Sequence, residues 1–315
     1  MFSTVINKDI LAAKKFLDKG EVVGIPTETV YGLAANALNE DAVLKIFSVK
    51  NRPHFDPLII HVFSVKEIEK YVEEIPEKAA IIIKKFMPGP VTLLLRKRKI
   101  IPDLVTSGLD TVAIRIPQHP LALSLLKSLD FPLAAPSANP FGYISPTTAL
   151  HVYEQLQGKI PFILDGGPAN VGLESTIIGF DGEQPVLYRP GGLALEEIEK
   201  AIGEVKINAE ENAQPLSPGM LKSHYAPRKK LLFDKLESNL TGKTGVIAFN
   251  KYIPGIDEAN QILLSPKGDI REAAKNLFSA MRQLDASDVE VIVAVKFPES
   301  GIGRAINDRL KRAGA

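Results

Sequence analysis

Short apolar runs recur along this chain, and their lengths constrain the fold more than any other feature. "EVVGIPT", "PLIIHV", "VTLLLR", "VAIRIP", "PLAAPSA", "PFILDGG", "STIIGF" and "PVLYRPG" are each long enough for a buried strand and far short of the roughly 18 apolar residues of a membrane span. Some alternate with helical stretches such as "PLALSLLKSL" and "TTALHVYEQL", while others follow one another directly. A strictly parallel sheet requires a crossover between neighbouring strands, so this mixture predicts an α/β domain built on a mixed sheet. Helices are expected from Asn7, as N-cap, to just before Gly20, and near residues 40–49, 66–73 and 76–87.

The pattern changes after "LALEEIEKAIG". The segment "NAEENAQPLSPGMLKSHYAPRKK" is polar, punctuated by Pro and Gly, and without period, which is long for a connection inside one compact domain. Beyond it "KLLFD", "TGVIAFN", "QILLS" and "VEVIVAVKF" read as strands, accompanied by the helices "DIREAAKNLFSAMRQLDA" and "GRAINDRLKRAGA". The expected organisation is a large domain over 1–204, a linker over 205–228 and a small α/β domain over 229–315. In the final helix Arg304, Asp308 and Arg312 recur at i, i+4 and read as a solvated, ion-paired face.

Composition removes several classes of function. The 315 residues carry 38 basic and 37 acidic side chains, for a formal net charge of +1, so any basic site must be local. There is no cysteine, which excludes disulfides, thiolate nucleophiles and cysteine-held metals. The N-terminal residues alternate charged and apolar side chains and lack a signal-peptide core; the expectation is a cytoplasmic protein. No phosphate loop, G-x-S-x-G elbow or H-E-x-x-H cluster occurs, and "GIGRAI" lacks the third glycine of a dinucleotide fingerprint.

What remains is a set of polar residues at the ends of apolar runs. "SVKNRPHFDPLIIHV" concentrates Lys50, Arg52, His54 and His61 around two prolines. Lysine offers a point charge and arginine a planar fork, a pair suited to phosphate oxygens, although cations at a helix end also simply complement its dipole. "APSANPFGYISPT" places Ser137 and Asn139 where they could meet a ligand or make Ser and Asx turns. Arg115 and Arg189 interrupt apolar strands, where they either face solvent or join the cations of residues 50 and 52. His61, a lone histidine in an apolar run, reads by itself as a satisfied core histidine more often than as a ligand-binding one.

In order and together, "PTETVYGLAANA", "KNRP…PLIIHV", "VAIRIP", "APSANPFGYISPT", "LESTIIG", "VLYRPG", "SPGMLKSHYAP" and "GIGRAINDRLKRA" resemble the threonylcarbamoyl-AMP synthase family in its longer, two-domain form. The resemblance implies a YrdC-like mixed twisted sheet with flanking helices, followed by a smaller Rossmann-like α/β domain. It implies a nucleotidyltransferase that joins L-threonine, bicarbonate and ATP into threonylcarbamoyl-AMP and releases pyrophosphate. Mg²⁺ would arrive with ATP, bound through phosphate oxygens rather than by a protein metal site. A downstream tRNA threonylcarbamoyl transferase would be the partner, with tRNA itself bound weakly at most.

By the same resemblance Lys50 and Arg52 are the catalytic cations. Arg52, Asp56, Thr111, Ser137, Asn139, Ser145, Arg189 and Tyr225 would contact ATP. Thr29, Tyr31, His61, Arg115, Ala135 and Ser175 would line the threonine pocket, with Thr176 adjacent. Tyr225, helped by His224, would close the site as part of a lid. One residue departs from the family pattern: the usual Asn-Pro is here Asp56-Pro57, and a carboxylate would repel triphosphate unless Mg²⁺ or Arg52 intervenes. The rival reading is an RNA-binding module of the same fold, which near-zero net charge disfavours.

Overall fold

A computed structural model describes residues 2–208, 217, 223–235 and 243–315. The chain runs β1 (Val5–Asn7), α1 (Ile10–Asp18), β2 (Val23–Ile25), β3 (Gly32–Asn36), α2 (Glu40–Lys50), β4 (Ile59–His61), α3 (Val65–Tyr71) and α4 (Glu77–Phe86). Next come β5 (Val91–Arg96), α5 (Asp103–Thr106), β6 (Thr111–Arg115), α6 (Pro120–Ser128), β7 (Leu133–Ala134), α7 (Ala149–Leu156) and β8 (Phe162–Leu164). Then follow β9 (Thr176–Asp181), β10 (Gln184–Arg189), α8 (Leu195–Ile202) and β11 (Lys206–Ile207). The second unit contains β12 (Lys230–Phe233), β13 (Thr244–Ala248), β14 (Gln261–Leu263), α9 (Ile270–Ala286), β15 (Val291–Ala294) and α10 (Gly303–Ala313).

Among the described residues the large sheet has eleven strands in the order β1-β8-β2-β3-β7-β4-β6-β5-β9-β10-β11. Parallel pairs such as β4/β6 and β5/β9 sit beside antiparallel ones such as β5/β6 and β9/β10, the mixed sheet expected from the spacing of the apolar runs. Four parallel strands in the order β12-β15-β13-β14 make the small sheet, flanked by α9 and α10. Residues 209–216 and 218–222 of the expected linker lie outside the described residues, while β11 still pairs with β10 at the edge of the large sheet.

Sequence patterning accounts for the helices. In α8, Leu195, Ile198 and Ile202 are buried while Glu196, Glu197 and Glu199 stand on the remaining surface, a one-sided apolar stripe. The first helix is capped by Asp9, whose carboxylate accepts from the Leu11 and Ala12 N–H groups. Asn7 instead closes β1, a strand the apolar pattern did not announce because all three of its residues are exposed on the sheet edge.

Three cores matter for position. The main core holds Ile60 and Ile114 against α2, α4 and α8. A second lies between α1, α6 and the other face of the sheet. The third is shared: Val30, Ile144 and Leu173 of the large unit pack with Tyr225 and with Leu277, Phe278 and Met281 of α9. Polar contacts seal the same junction, including Arg282 Nη2 to Ile144 O at 2.5 Å and Tyr143 Oη to Asp285 Oδ2 at 2.6 Å. Gly172, at φ +76°, lets the backbones meet; a Cβ there would stand 2.4 Å from Lys275 Cα in α9.

Candidate active site

Strand alternation creates the site. In β4 and β6, Ile60 and Ile114 face the main core, so their neighbours His61 and Arg115 face the opposite side. The parallel register sets His61 directly beside Arg115 at the carboxyl ends of the two strands. Ala135 and Ser137 follow β7, Ser175 precedes β9, and Arg189 ends β10. These ends surround a cavity lined also by Thr29, Arg52, Glu174, His224 and Tyr225.

One wall is built around Arg115. Its Nη2 donates to Glu28 Oε1 at 2.5 Å and its Nη1 to Thr29 Oγ1 at 3.1 Å. The second Glu28 oxygen accepts from Gln118 N at 2.9 Å. Burial chiefly, and then the charge of Arg115, pushes His61 down to about 3; the ring is therefore neutral at physiological pH. His61 Nδ1 and Arg115 Nε are buried without hydrogen-bond partners among the described residues.

Arg52, Arg189 and Glu174 form the other wall. The α2 helix terminates at Asn51, which takes a left-handed conformation (φ 52°) as a short polar C-cap residue can. The chain reverses there, leaving Lys50 inside and bringing Arg52 to the cavity. Arg52 Nη2 lies 2.9 Å from Asp56 Oδ2 and donates to Pro57 O at 2.8 Å. Arg189 donates through Nε and Nη2 to Ser175 O and reaches Ser175 Oγ at 3.2 Å. Glu174 accepts from Ser145 Oγ at 2.6 Å and from Arg309 Nε at 2.7 Å. Burial raises the Glu174 carboxyl, but Arg309, Arg189 and the Ser145 hydrogen bond outweigh it and hold the group below the usual glutamate range. Tyr225 stands at φ 68°, stacked on Phe278 with ring centroids 5.6 Å apart, and burial pushes its phenol up to about 12.

The sequence-derived candidates therefore divide. Thr29, Arg52, His61, Arg115, Ala135, Ser137, Ser175, Arg189 and Tyr225 line the one cavity, as does His224. Lys50 stands behind the wall, where its ammonium donates to Ser137 O and Asn139 O, each at 2.5 Å; burial holds it well below the usual lysine range. It braces the 137–139 loop rather than lining the cavity. Asn139 is fully buried and donates to Pro140 O and Tyr143 O. Asp56 is likewise sealed behind Arg52, and Ser145 reaches the cavity through Glu174.

Three others point elsewhere. Tyr31, placed by resemblance beside threonine, turns its hydroxyl to Gly167 O at 2.7 Å and accepts from Gly166 N, so it supports the 165–167 loop. Thr111 begins β6 while Arg115 ends it, and it lines a separate hollow with Glu74, Asp110 and Phe180. Thr176 Oγ1 donates to Leu193 O. In α10, Arg312 pairs with Asp308 as its spacing suggests, but Arg304 reaches across to Glu196 of α8.

Glu28, Glu174 and Arg309 complete two of the site's three ion pairs among the described residues and were not singled out from sequence. The first two sit inside quoted motifs, as lone carboxylates in "PTETV" and "LESTI" that otherwise hold apolar and hydroxyl residues; that isolation was the available signal. Arg309 had none, being one arginine among several in an amphipathic helix.

No group of three or more His, Asp or Glu side chains among the described residues could hold a metal ion. The carboxylates of the cavity walls, Glu28, Glu174 and Asp56, are each engaged by an arginine. Cationic and hydroxyl donors dominate the lining, a set that suits a magnesium ion carried on phosphates better than one held in a carboxylate cage.

Comparisons with known proteins agree with this architecture. The Sua5–YciO–YrdC family model, described as "Telomere recombination", matches residues 15–191, and the model "Threonylcarbamoyl-AMP synthase, C-terminal domain" matches 193–315. The threonylcarbamoyl-AMP synthase of Pyrococcus abyssi is 44% identical, with 96% of this chain and 93% of the relative covered. That of Bacillus subtilis is 40% identical over 96% of this chain and 92% of its own length. The crystal structure of the P. abyssi protein complexed with L-threonine superposes with a TM-score of 0.90 at 41% identity, covering 100% of this chain and 97% of that one. A mixed eleven-stranded sheet, a docked parallel α/β unit and full-length similarity on both sides lead to one assignment: this chain belongs to the Sua5–YciO–YrdC family, in the two-domain form of the threonylcarbamoyl-AMP synthases.

Proposed function

We propose that the cavity is the site where L-threonine, bicarbonate and ATP become threonylcarbamoyl-AMP and pyrophosphate. The observation that carries this reading is the convergence of three buried arginines, Arg52, Arg115 and Arg189, on one cavity. The reaction brings a carbamate to the α-phosphorus of a triphosphate and expels pyrophosphate, so negative charge accumulates on both partners. Fixed cations in a water-poor cleft stabilise that accumulation, and no protein nucleophile is needed.

Each wall has a role in this scheme. Arg115, held by Glu28, forks to the carboxylate of threonine, and Thr29, Ser175 and neutral His61 meet its amine and hydroxyl while Ala135 accepts its methyl. The neutral imidazole, whose Nδ1 has no partner among the described residues, can accept a hydrogen bond from threonine's amine, which bicarbonate carboxylates with loss of water. Arg52 and Arg189 take the phosphates, with Ser137 beside them and Lys50, Asn139 and Ser145 fixing the loops that carry these groups. Magnesium, when bound to ATP, lowers the charge on the β- and γ-phosphates. Asp56 restrains Arg52, which reconciles a carboxylate with an anion site. Tyr225 and His224 close the opening and shield the adenylate from hydrolysis.

A mixed carbamic–phosphoric anhydride is short-lived in water, so the product passes to a tRNA threonylcarbamoyl transferase in the same compartment, the cytoplasm. Among the described residues, no helix is long and apolar enough to cross a membrane. Mass-spectrometric detection of the adenylate, together with pyrophosphate release that requires threonine, tests the assignment. Pyrophosphate formed equally without threonine, or RNA binding with no turnover, overturns it.

A further inference from the structure

The ion pair between Glu174 and Arg309 joins two domains at the cavity wall. Glu174 lines the cavity. Arg309 comes from α10, the last helix of the C-terminal unit, and its side chain is 0% exposed. Its guanidinium is committed on every side: Nε to Glu174 Oε2 at 2.7 Å, Nη2 to Pro190 O at 3.1 Å and Nη1 to Asp308 Oδ2 at 2.5 Å. Its Cζ also lies 5.1 Å from the centroid of the Tyr225 ring. One side chain from the C-terminal unit thus touches two cavity-lining groups, the ring of Tyr225 and the Glu174 carboxylate, whose charge would oppose a polyanion.

We propose that Arg309 is a positioning residue of the ATP site: it neutralises and orients Glu174 and holds Tyr225 against the cavity, so that triphosphate binds well only when the C-terminal domain is docked. The proposal rests on the assignment of the Arg52–Arg189 wall to ATP. Without Arg309, Glu174 keeps the Ser145 hydrogen bond but loses its ion-pair partner, leaving a carboxylate charge that faces the phosphates, and like charges in a buried site repel strongly. The Glu28–Arg115 wall receives no side chain from α10, so threonine binding stays independent of Arg309.

The test uses the full chain and four proteins: wild type, Arg309→Gln, Glu174→Gln and the double variant. Arg309→Gln is expected to raise the KM for ATP roughly 10- to 100-fold, the effect of stripping one partner from a buried charge pair, while the threonine Kd by calorimetry moves less than about threefold. Glu174→Gln in the same chain removes the repelling charge, and the double variant recovers most of the ATP affinity. A merely structural arginine gives a different pattern, in which both substrates weaken together and Glu174→Gln brings no relief; that pattern overturns the proposal, as does an unchanged KM for ATP.

If Arg309→Gln fails to fold, hydrogen exchange of the wild-type protein decides. ATP, and not threonine, is expected to slow exchange in residues 303–313, because coupling between sites is reciprocal; equal rates with and without ATP overturn the proposal. Arg52→Ala and Arg189→Ala separate the two readings. If neither weakens ATP, the cavity assignment itself fails. If both do while Arg309→Gln does not, only the role of Arg309 falls.

Discussion

The two walls of the cavity are built differently. The Arg115 wall is complete within the large sheet: His61 and Arg115 are register partners on adjacent strands, and Glu28 and Thr29 come from the loop after β2. The Arg189 wall depends on a second domain, since Glu174 is held by Arg309 and Tyr225 is stacked on Phe278. A buried charge needs a partner wherever it lies. The loop after β2 supplies one from within the large domain at the first wall, where Glu28 pairs with Arg115, and domain docking supplies it at the second. The first should therefore tolerate changes at the interface, while the second should respond to them.

The largest effect is expected at the self-contained wall. Arg115→Ala leaves Glu28 buried and unpaired, which should cost about 3–5 kcal/mol of stability and weaken threonine roughly 100-fold or more. Thermal unfolding and calorimetry measure the two losses. Arg115→Lys should restore part of the stability but little of the binding, because an ammonium cannot fork to Glu28 and a carboxylate together.

Next comes a change that touches only docking. Gly172→Ala places a methyl against the α9 backbone in a left-handed conformation, and should raise the KM for ATP about 10-fold while sparing threonine. Equal losses for both substrates would break the distinction between the walls.

Acid sharpens the comparison further. His61 titrates near 6.5 when unfolded and about 3 in the native protein, so the unfolded state takes up more protons in that window. Stability should fall as pH drops from about 6.5 towards 3, with a slope of up to about 1.4 kcal/mol per pH unit from this residue. His61→Gln should flatten the curve measured by urea unfolding across that range. Glu174 adds a separate loss at lower pH: its native carboxyl is held below the usual 4.5, so its contribution is present above that value and disappears as pH falls through the native one. Glu174→Gln should remove this second limb.

The smallest effect belongs to Arg271, whose ion pair with Glu197 also bridges the domains but is 73% exposed on the arginine side. Arg271→Ala should change stability by less than about 1 kcal/mol and leave the KM for ATP unaltered. A larger shift would mean that docking depends on interdomain charge in general rather than on the buried pair.

Much of this arrangement was legible in the residues. Short apolar runs announced most strands, and the mixture of helical and direct connections announced a mixed sheet. Polar residues at the ends of those runs marked Arg115, His61, Ser137 and Arg189, because a charge interrupting a buried strand must either reach solvent or be held. Tyr31 and Thr111, placed at the site by resemblance, stand away from the cavity. Tyr31 lies one turn of the loop from Thr29 yet points the other way, towards the 165–167 loop. Thr111 shares a strand with Arg115, but four residues of extended chain separate them by about 13 Å.

Local chemistry is set by near neighbours, and near neighbours can be read in order. The alternation of β4 and β6, the left-handed cap at Asn51 that swings Arg52 past Lys50, and the amphipathic stripe of α8 all follow from a few adjacent side chains. Which ion pairs complete the cavity follows from contacts between distant segments. Glu174 and Arg309 stand 135 residues apart, and neither spacing nor periodicity carries information about a partner at that separation. Domain docking brought them together, because burying a charge is tolerable only where folding delivers the opposite one.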